Sequence, residues 1–598
     1  MAITRLKKIT LYGPEQDKQL ILLGLQKLGC IHLIPLKESV PEMAIQAQPA
    51  ETSEALTWLE RSPQKRRQVR NKDGIKTDDV VHKVLQNKTL FRETSDQRDQ
   101  LEQRIREVRP WGEFSFPELS DLNGQRLWFY VVPNKHIDLL ETLELPWEII
   151  HQGQERSNVI VISKDEPPED LLPVARSKVG KHSLSSLESE FEQAEQQLED
   201  ILAERESLTR WTYLLSQSMA ATQDTASLRQ AFNSSQDEDQ FFLIQGWVPQ
   251  DKQTTVEDYV QTQQIAAFIQ EPESGDNPPT LLDEPDSTGG GGEAMAFFQL
   301  PNYRAWDPGN IVFYSFALFF AMIMSDAAYS ALFGLILWCF RKKIDSTTAG
   351  KRLLNMGLFM SGLGIIWGIL IGSYFGVSPT KDALLDSIAF INLNDYAAMM
   401  KLSVGIGVIH LVIANLASAW VNRDRLYALA PLGWAVLMIG GLTLWLGIMG
   451  SLQPVWKTLF GPGMMIVGAL MIFLFTSTRP IHKISDLFLR ILDGLNAVYK
   501  ITGAFGDVLS YMRLFALGLS GASLAMTFNN LAIDVLHAMP VLGVLFAGLI
   551  LLLGHLLNFA LCLMSGVVHG MRLNVIEFFN WGLSDEGYPF KAFSKQED

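Results

Sequence analysis

Apolar and polar positions divide this chain into two halves of different character. From the N-terminus to about residue 300, charged residues and Gln are frequent and Pro interrupts the pattern, whereas long apolar runs follow one another from about 310 to 580. An apolar run of about 20 residues is long enough to cross a bilayer as a helix. The pattern therefore predicts a soluble domain, 1–300, a transmembrane domain, 301–582, and a C-terminal tail, 583–598.

The soluble half predicts a cytosolic α/β domain built of two small lobes joined by a coiled-coil hairpin. Two strongly helical stretches, 80–108 and 178–215, form the arms, and the second has apolar residues at steps of three and four, as in a coiled-coil seam. The segment 273–300 has the composition of a flexible linker. The lobes are predicted from short strand and helix patterns at 9–12, 18–28, 31–35, 126–132, 159–162 and 241–248.

The apolar half predicts an α-helical membrane protein with about eight crossings, of which the last two are long and tilted. Basic residues at 341–352 indicate a cytosolic loop, because cytosolic loops are enriched in Lys and Arg. The run 310–340 must then cross twice, as a hairpin broken near Asp326, and both termini are cytosolic. A helix at 484–500 is predicted to lie in the interface. The other helices are predicted at 353–376, 400–421, 429–450, 462–477, 501–535 and 541–575.

A repeat of glycine at every fourth position marks the first of these helices. Residues spaced by four line one helical face, and glycines there let a neighbouring backbone approach closely. We therefore expect one packing face made of Gly364, Gly368, Gly372 and Gly376.

Composition excludes several classes of function. The net charge of −15, with nothing that resembles a basic groove, argues against nucleic acid as a partner. Three widely separated cysteines, Cys30, Cys339 and Cys562, predict neither a metal site nor a disulfide framework. The four glycines at 289–292 lack the Gly-Lys-Ser/Thr ending of a phosphate-binding loop. No cofactor is predicted.

The last two helices keep polar and charged groups inside apolar sequence. An arginine near the bilayer centre costs about 3 kcal/mol or more, so Arg513 should face a partner or a water-filled cavity. Because its guanidinium stays protonated, it is a fixed charge that favours ionisation of an opposing carboxylate. Apart from Asp326 and Asp507, which lie near helix ends or breaks, no Asp or Glu lies at an obvious depth to pair with it. The small residues Gly506, Ala516 and Ser520 suggest a sliding contact with another subunit.

At these residues the chain resembles a known family. The stretches ITGAFGDVLSYMRLFALGLSGASLA at 501–525 and GHLLNFALCLMSGVVHGMRLNVIEFFNWGLSDEGYPFKAF at 554–593 resemble the last two helices of subunit a, also called subunit I, of V-type and A-type rotary ATPases. Weaker matches include GWVP at 246–249 and SDAAY at 325–329.

This resemblance implies a stator subunit that carries H⁺ or Na⁺ between two half-channels and contains no nucleotide site. Arg513 would face the carboxylates of a ring of c-type subunits, with Arg572 as the second arginine. Implied partners are peripheral stalk subunits on the N-terminal domain, a central stalk cap subunit and the bilayer of a prokaryotic plasma membrane. Where eukaryotic members carry a channel glutamate, this chain has Cys562. Implied half-channel residues are Asp507, Ser510, Tyr511, His555, Asn558, His569, Asn574 and Glu577.

Other interpretations of these residues remain open from sequence alone. Arg513 and Arg572 would also suit salt bridges or headgroup anchors, and His555 and Asn558 would suit interhelical hydrogen bonds. Glu577 would also suit a helix end. A secondary ion transporter or channel with a cytosolic regulatory domain is the main alternative function, since it too keeps charges in broken helices. A pure anchor for peripheral stalks would leave Arg513 unexplained.

Overall fold

The computed structural model separates into two compact units. The membrane unit comprises Met1–Gly13, Cys30–Ile34 and Leu243–Ala592, and the hairpin unit comprises Pro14–Gly29, Pro35–Phe242 and Phe593–Asp598. The structure describes residues 3–37, 47–71, 76–113, 124–165, 167–168, 172, 174, 176–177, 182–238, 240–379, 388–389, 395–423, 426–477, 479, 484–539, 542–583 and 585–596.

Three small sheets are formed among the described strands. One has the order β2-β7-β1-β8, the second has the order β3-β5-β4, and β9 pairs with β10. In the second sheet, alternate residues Trp128, Tyr130 and Val132 face one apolar core, as the strand period of two requires. The strands are β1 Leu6–Pro14, β2 His32–Ile34, β3 Arg126–Pro133, β4 Trp147–Gln152, β5 Arg156–Ser163, β6 Gln236–Glu238, β7 Phe241–Pro249, β8 Ala266–Gln270, β9 Leu300–Pro301 and β10 Glu586–Gly587.

The predicted helical hairpin is present in the hairpin unit as α3 and α4. The C-terminal end of α3 packs its Ile105 and Val108 on Leu187 at the start of α4. Near the other end, Asn87 Nδ2 donates to the carbonyl of Ile201 at 3.0 Å, so the two helices are antiparallel. The helices before the membrane segments are α1 Lys18–Leu28, α2 Ala47–Glu60, α3 Thr77–Val108, α4 Leu184–Leu208, α5 Thr212–Ser234, α6 Gln253–Thr262 and α7 Gly290–Ala296.

The segment predicted as a flexible linker contains the ordered helix α7. Its glycines are buried, and a Cβ at Gly290 would lie 2.6 Å from Cβ of Met356. A Cβ at Gly289 would lie 2.9 Å from Cδ of Arg352. The glycines therefore serve close packing in this segment, which glycine composition alone does not distinguish from flexibility.

Six segments of the described chain are long and apolar enough to cross a membrane, and α8 is a shorter apolar helix. They correspond to the six helices predicted after residue 352. The apolar half contains α8 Gly309–Met324, α9 Ala327–Ile344, α10 Thr348–Ile371, α11 Tyr396–Val421, α12 Leu429–Ile448, α13 Gly461–Phe475, α14 Ile484–Tyr499, α15 Ile501–Ser510, α16 Met512–Ala538, α17 Gly543–Arg572 and α18 Phe579–Gly582, with π-helical turns at Trp456–Phe460 and Leu573–Phe578.

The broken hairpin is formed by α8 and α9. The chain turns at Ser325, whose φ of 47° lies in the left-handed region, and Asp326 then caps α9 by accepting from the backbone N–H groups of Ala328 and Tyr329. Capping satisfies donors that a helix start would otherwise leave unpaired. Helix α8 is buried over most of its length and lies at the centre of the membrane unit.

The prediction of one packing face made of four glycines is wrong for Gly372 and Gly376. Helix α10 ends at Ile371, because Gly372 adopts a left-handed conformation that closes the helix, and Gly376 also has a positive φ in the turn beyond it. Of the four glycines, Gly364 and Gly368 lie in α10 and pack against the neighbouring helix α9. A Cβ at Gly364 would meet Ser330, and one at Gly368 would meet Ala327.

The segment after the last membrane helix is ordered in both units. In the membrane unit, β10 pairs with β9 and the Lys591 N–H donates to His32 Nδ1 at 2.9 Å. In the hairpin unit, the Gln596 N–H donates to the Asp224 carboxylate at 2.9 Å.

Candidate functional site

Arg513 follows a break between two helices. Helix α15 ends at Ser510 and α16 begins at Met512, with Tyr511 between them fully buried. The Tyr511 hydroxyl and His410 Nδ1 are 2.8 Å apart, and the His410 ring stacks on Phe578. This packing holds the junction and leaves the Arg513 side chain about one quarter exposed.

A π-helical turn brings Arg572 and Glu577 together. In an α-helix, residues five apart lie about 140° from each other around the axis, because a turn takes 3.6 residues. The turn at Leu573–Phe578 has the wider i→i+5 hydrogen bonding, which places such residues on one face. Arg572 Nε consequently lies 3.7 Å from Glu577 Oε1.

The two arginines share this one carboxylate. Arg513 Nη1 lies 3.8 Å from Glu577 Oε1, and the Ser510 hydroxyl donates to the same oxygen at 2.5 Å. Ser510 also accepts a hydrogen bond from Arg513 Nη2 at 3.2 Å. We call Ser510, Arg513, Arg572 and Glu577 the arginine cluster.

The arginine cluster is incompletely satisfied. Glu577 is 3% exposed, yet its Oε2 has no hydrogen-bond partner among the described residues, and neither has Nη1 of Arg513. Two guanidinium groups stand against one carboxylate, so the cluster carries an excess positive charge. Such a site is suited to attract a second carboxylate.

Asp507 lies one turn before Ser510 on α15. Its carboxylate accepts a hydrogen bond from the indole N–H of Trp581 at 2.8 Å. This hydrogen bond joins α15 to the short helix α18. Asp507 is therefore a second acidic group close in sequence to the arginine cluster, which contains Glu577.

A second set of polar side chains lies elsewhere in the membrane unit. We call Asp326, Tyr329, Asn529, His555 and Asn558 the Asp326 network. The Tyr329 hydroxyl is 2.6 Å from His555 Nδ1 and accepts from Asn558 Nδ2 at 3.2 Å. His555 Nε2 is 3.0 Å from Asn529 Oδ1. Asn529 lies 16 residues beyond Arg513 on α16, about 24 Å along the axis at 1.5 Å per residue.

Asp326 anchors this network at the broken hairpin. Besides the two N–H groups that it caps, its carboxylate accepts from the Ser373 hydroxyl at 2.8 Å and from the Gly376 N–H at 3.0 Å. All of these donors are neutral, and the side chain is 1% exposed.

The predicted small-residue surface is exposed in this chain. Gly506, Ala516 and Ser520 are all solvent-accessible, and a Cβ at Gly506 would meet no atom within 4 Å among the described residues. With Arg513 they follow the three- and four-residue steps of one helical face. Arg572 is half exposed beside it.

The structure separates the other predicted residues. His555 and Asn558 belong to the Asp326 network, Tyr511 points into the core, and Asn574 binds the Ser315 hydroxyl and the carbonyl of Gly570. Cys562 is buried, with Sγ 3.6 Å from Asn558 Oδ1.

The expectation that Arg513 has no carboxylate partner in its own chain is wrong, because the π-helical turn presents Glu577 to it. Sequence reasoning also missed Tyr329 and Asn529 as network members. Their signal is a polar side chain inside an apolar helix. Within the described residues, no group of three or more His, Cys, Asp and Glu is arranged to hold a metal ion.

Comparison with known proteins confirms the resemblance predicted from the motifs. The chain is similar to V-type ATP synthase subunit I of Chlamydia pneumoniae, at 24% identity covering 88% of this chain and 86% of the relative. It is similar to A-type ATP synthase subunit I of Methanocaldococcus jannaschii, at 26% identity covering 74% and 69%. A comparison with models of protein families finds no match.

The chain is also similar to a solved structure. It is the crystal structure of the cytoplasmic N-terminal domain of subunit I, the homologue of subunit a, of V-ATPase. The identity is 15%, the TM-score is 0.24, and the match covers 44% of this chain and 99% of that one.

Proposed function

We propose that this chain is the membrane stator subunit of a V-type or A-type rotary ATPase and that Arg513 and Arg572 act on the carboxylates of a rotating ring. The observation that carries this proposal is the position of the arginine cluster beside the exposed small-residue surface of α15 and α16. Small residues let another helix approach closely, and the excess positive charge attracts its carboxylate.

The arginines act as fixed charges in this mechanism. A guanidinium does not deprotonate in proteins, so neither arginine relays a proton. A ring carboxyl that arrives neutral from lipid ionises beside Arg513 and releases its ion to one aqueous path. It is then reloaded from the other path and returns to lipid neutral, because an unpaired charge in the bilayer is costly.

The two polar groups of the membrane unit supply the two paths. Asp507 and Glu577 line the path at the arginine cluster. The hydrogen-bonded side chains of Tyr329, His555 and Asn529 line the other path. Asn529 lies about 24 Å from Arg513 along the axis of α16. Their separation keeps a direct leak from bypassing Arg513. The ion is H⁺ or Na⁺, and its flow is coupled to rotation and to ATP hydrolysis or synthesis.

The remaining parts of the chain hold the stator in place. The antiparallel hairpin α3/α4 offers peripheral stalk subunits a long helical surface, and the N-terminal domain also meets the central stalk cap subunit. Eight crossings with both termini cytosolic, in a prokaryotic plasma membrane, complete the arrangement. The hairpin α8/α9 supplies the two crossings added to the six long apolar segments.

Substitution of Arg513 tests the proposed function directly. In the assembled complex in vesicles, Arg513→Ala should reduce ATP-driven ion uptake by about 100-fold or more, since a preorganised charge of this kind contributes several kcal/mol. The control is Arg341→Ala, which removes an exposed arginine from the end of α9. Normal uptake by the Arg513 variant, or ion transport by the purified chain alone, would contradict the proposal.

A further inference from the structure

His410 is a buried polar residue of α11 that neither proposed ion path uses. We propose that His410 is a positioning residue, which holds the α15–α16 junction and the π-helical turn together and thereby sets the geometry of the arginine cluster. This inference rests on the proposed function and adds to it the residue that keeps Arg513 and Arg572 in place.

The first support is the contact of His410 with the helix junction. His410 Nδ1 lies 2.8 Å from the hydroxyl of Tyr511, the residue between α15 and α16. Three residues earlier on α11, a Cβ at Gly407 would lie 2.5 Å from Cγ of Tyr511, so the tyrosine ring packs directly on the backbone of α11. Helix α11 therefore fixes the junction that carries Ser510 on one side and Arg513 on the other.

The second support is the contact of the same ring with the π-helical turn. The imidazole of His410 stacks on the ring of Phe578, with centroids 4.3 Å apart and planes at 11° to each other. Phe578 is the last residue of the turn Leu573–Phe578 and directly follows Glu577. A regular α-helical turn would point Phe578 in another direction and break this contact. The stacked imidazole therefore stabilises the wider turn.

The two contacts flank the hydrogen bond at the centre of the arginine cluster. The Ser510 hydroxyl donates to Glu577 Oε1 at 2.5 Å. Tyr511 directly follows Ser510, and Phe578 directly follows Glu577. His410 therefore joins the two residues that come next in sequence after the bonded pair. A movement of its ring would be passed to both sides of that pair.

The third support is a contact with a helix that carries neither arginine. The ring of Phe319 on α8 lies edge-on to the rings of His410 and Tyr511, with centroids 5.0 Å and 5.8 Å away. Phe319 is fully buried, and α8 is buried over most of its length. Because this helix holds the imidazole from a third side, the imidazole has a fixed position from which to hold the two helix breaks.

The imidazole combines a flat ring with a polar nitrogen, and both properties are used. Its Nε2 is buried and has no hydrogen-bond partner among the described residues, which is costly. A ring that only filled space would be more stable as phenylalanine, which has no nitrogen to leave unpaired. The contact of Nδ1 with the Tyr511 hydroxyl is what an apolar ring cannot supply.

Two substitutions at His410 separate its contacts, as measured by ATP-driven ion uptake per assembled complex in vesicles. His410→Phe keeps a ring on Phe578 and removes the polar partner of Tyr511, whereas His410→Asn keeps a polar group near Nδ1 and removes the ring. Each should reduce uptake by about tenfold or more, since a misplacement of about 1 Å costs on the order of 100-fold. The controls His537→Phe and His537→Asn change an exposed histidine of α16 and should pump normally.

A double variant distinguishes positioning from stability. His410→Phe leaves the buried Tyr511 hydroxyl without its partner and should lower the denaturant midpoint of the purified protein. His410→Phe combined with Tyr511→Phe removes both polar groups and should restore that midpoint. Uptake by the double variant should nevertheless stay about tenfold below that of the parent, because the link to the junction is still missing. Recovery of uptake together with stability would overturn the inference.

The outcomes also separate this inference from the proposed function. Loss of uptake in Arg513→Ala with normal uptake in either His410 variant overturns the inference and leaves the stator function intact. Normal uptake in Arg513→Ala overturns the proposed function. If the His410 variants fail to assemble, Tyr511→Phe alone removes only the hydroxyl and should lower uptake by about tenfold. Unchanged uptake in that variant then overturns the inference.

Discussion

Two carboxylates buried in the same membrane unit have opposite surroundings. Asp326 accepts four hydrogen bonds, from the N–H groups of Ala328, Tyr329 and Gly376 and from the Ser373 hydroxyl. Glu577 accepts one, from Ser510, while two arginines stand 3.7 and 3.8 Å away. Both side chains are at most 3% exposed.

The difference separates structural from chemical use of a buried acid. Neutral donors around Asp326 are held by backbone turns, so this carboxylate ties the broken hairpin to the turn after α10. The partners of Glu577 are side chains that can exchange one anion for another. We infer that saturation with neutral, mostly backbone donors marks the acid that holds the fold, whereas Glu577 keeps one oxygen unused beside two arginines.

The largest expected effect comes from Asp326→Ala. It leaves four donors without their acceptor in a buried site, which should lower the free energy of unfolding by about 3–5 kcal/mol, as measured by denaturant titration of the purified protein in detergent. Glu577→Gln should cost less, because it keeps an acceptor for Ser510, and the two arginines that lose their counter-charge are partly exposed to solvent. Equal losses for the two variants would contradict the distinction drawn between these acids.

Glu284, outside the membrane segments, is intermediate between Asp326 and Glu577 in how far its carboxylate is hydrogen-bonded. It accepts from the Gly292 N–H, but its Oε1 has no hydrogen-bond partner among the described residues. Burial, together with the charge of Asp307, raises the pKa of Glu284 to about 7. The folded state therefore favours the neutral carboxyl, and this contribution to stability is present below the ordinary pKa of 4.5 and is lost as pH rises through about 7.

Glu284→Gln should remove that pH dependence. At pH 8 the variant should be more stable than the parent by on the order of 2–3 kcal/mol, and the difference should vanish near pH 4, as followed by denaturant unfolding. The control Asp283→Asn removes the neighbouring exposed carboxylate and should leave the profile unchanged. A parent protein whose stability is flat between pH 4 and 8 would contradict this prediction.

Tyr329→Phe is the mildest change and tests whether the Asp326 network also serves transport. It removes the hydroxyl that contacts His555 and Asn558, at a cost of about 1 kcal/mol in the free energy of unfolding. If the network is the second ion path, ATP-driven uptake should fall more than stability does.

Tyr314→Phe is the matched control for that test. Tyr314 is exposed, and its ring packs against the rings of Phe313 and Phe359. It should leave both stability and uptake unchanged. Normal uptake in Tyr329→Phe would restrict the Asp326 network to a structural role.

Most of the helical plan could be predicted from the sequence because its signals are local. Long apolar runs located the membrane helices, and the basic loop that follows one run, together with Asp326 inside it, located the break between α8 and α9. The glycine repeat was less informative, since glycine suits both a packed helix face and a left-handed helix end. At Gly372 the second use prevailed.

The sequence by itself determined the division into a soluble and a membrane half and the antiparallel hairpin, and it singled out Arg513 as a candidate, because each of these depends on residues close together in the chain. Only the tertiary structure decided which groups Arg513 meets. Glu577 reaches it through a π-helical turn that no apolar period predicts, and Tyr329 meets His555 across 226 positions of sequence. Contacts of this kind depend on how helices pack and where their geometry departs from 3.6 residues per turn.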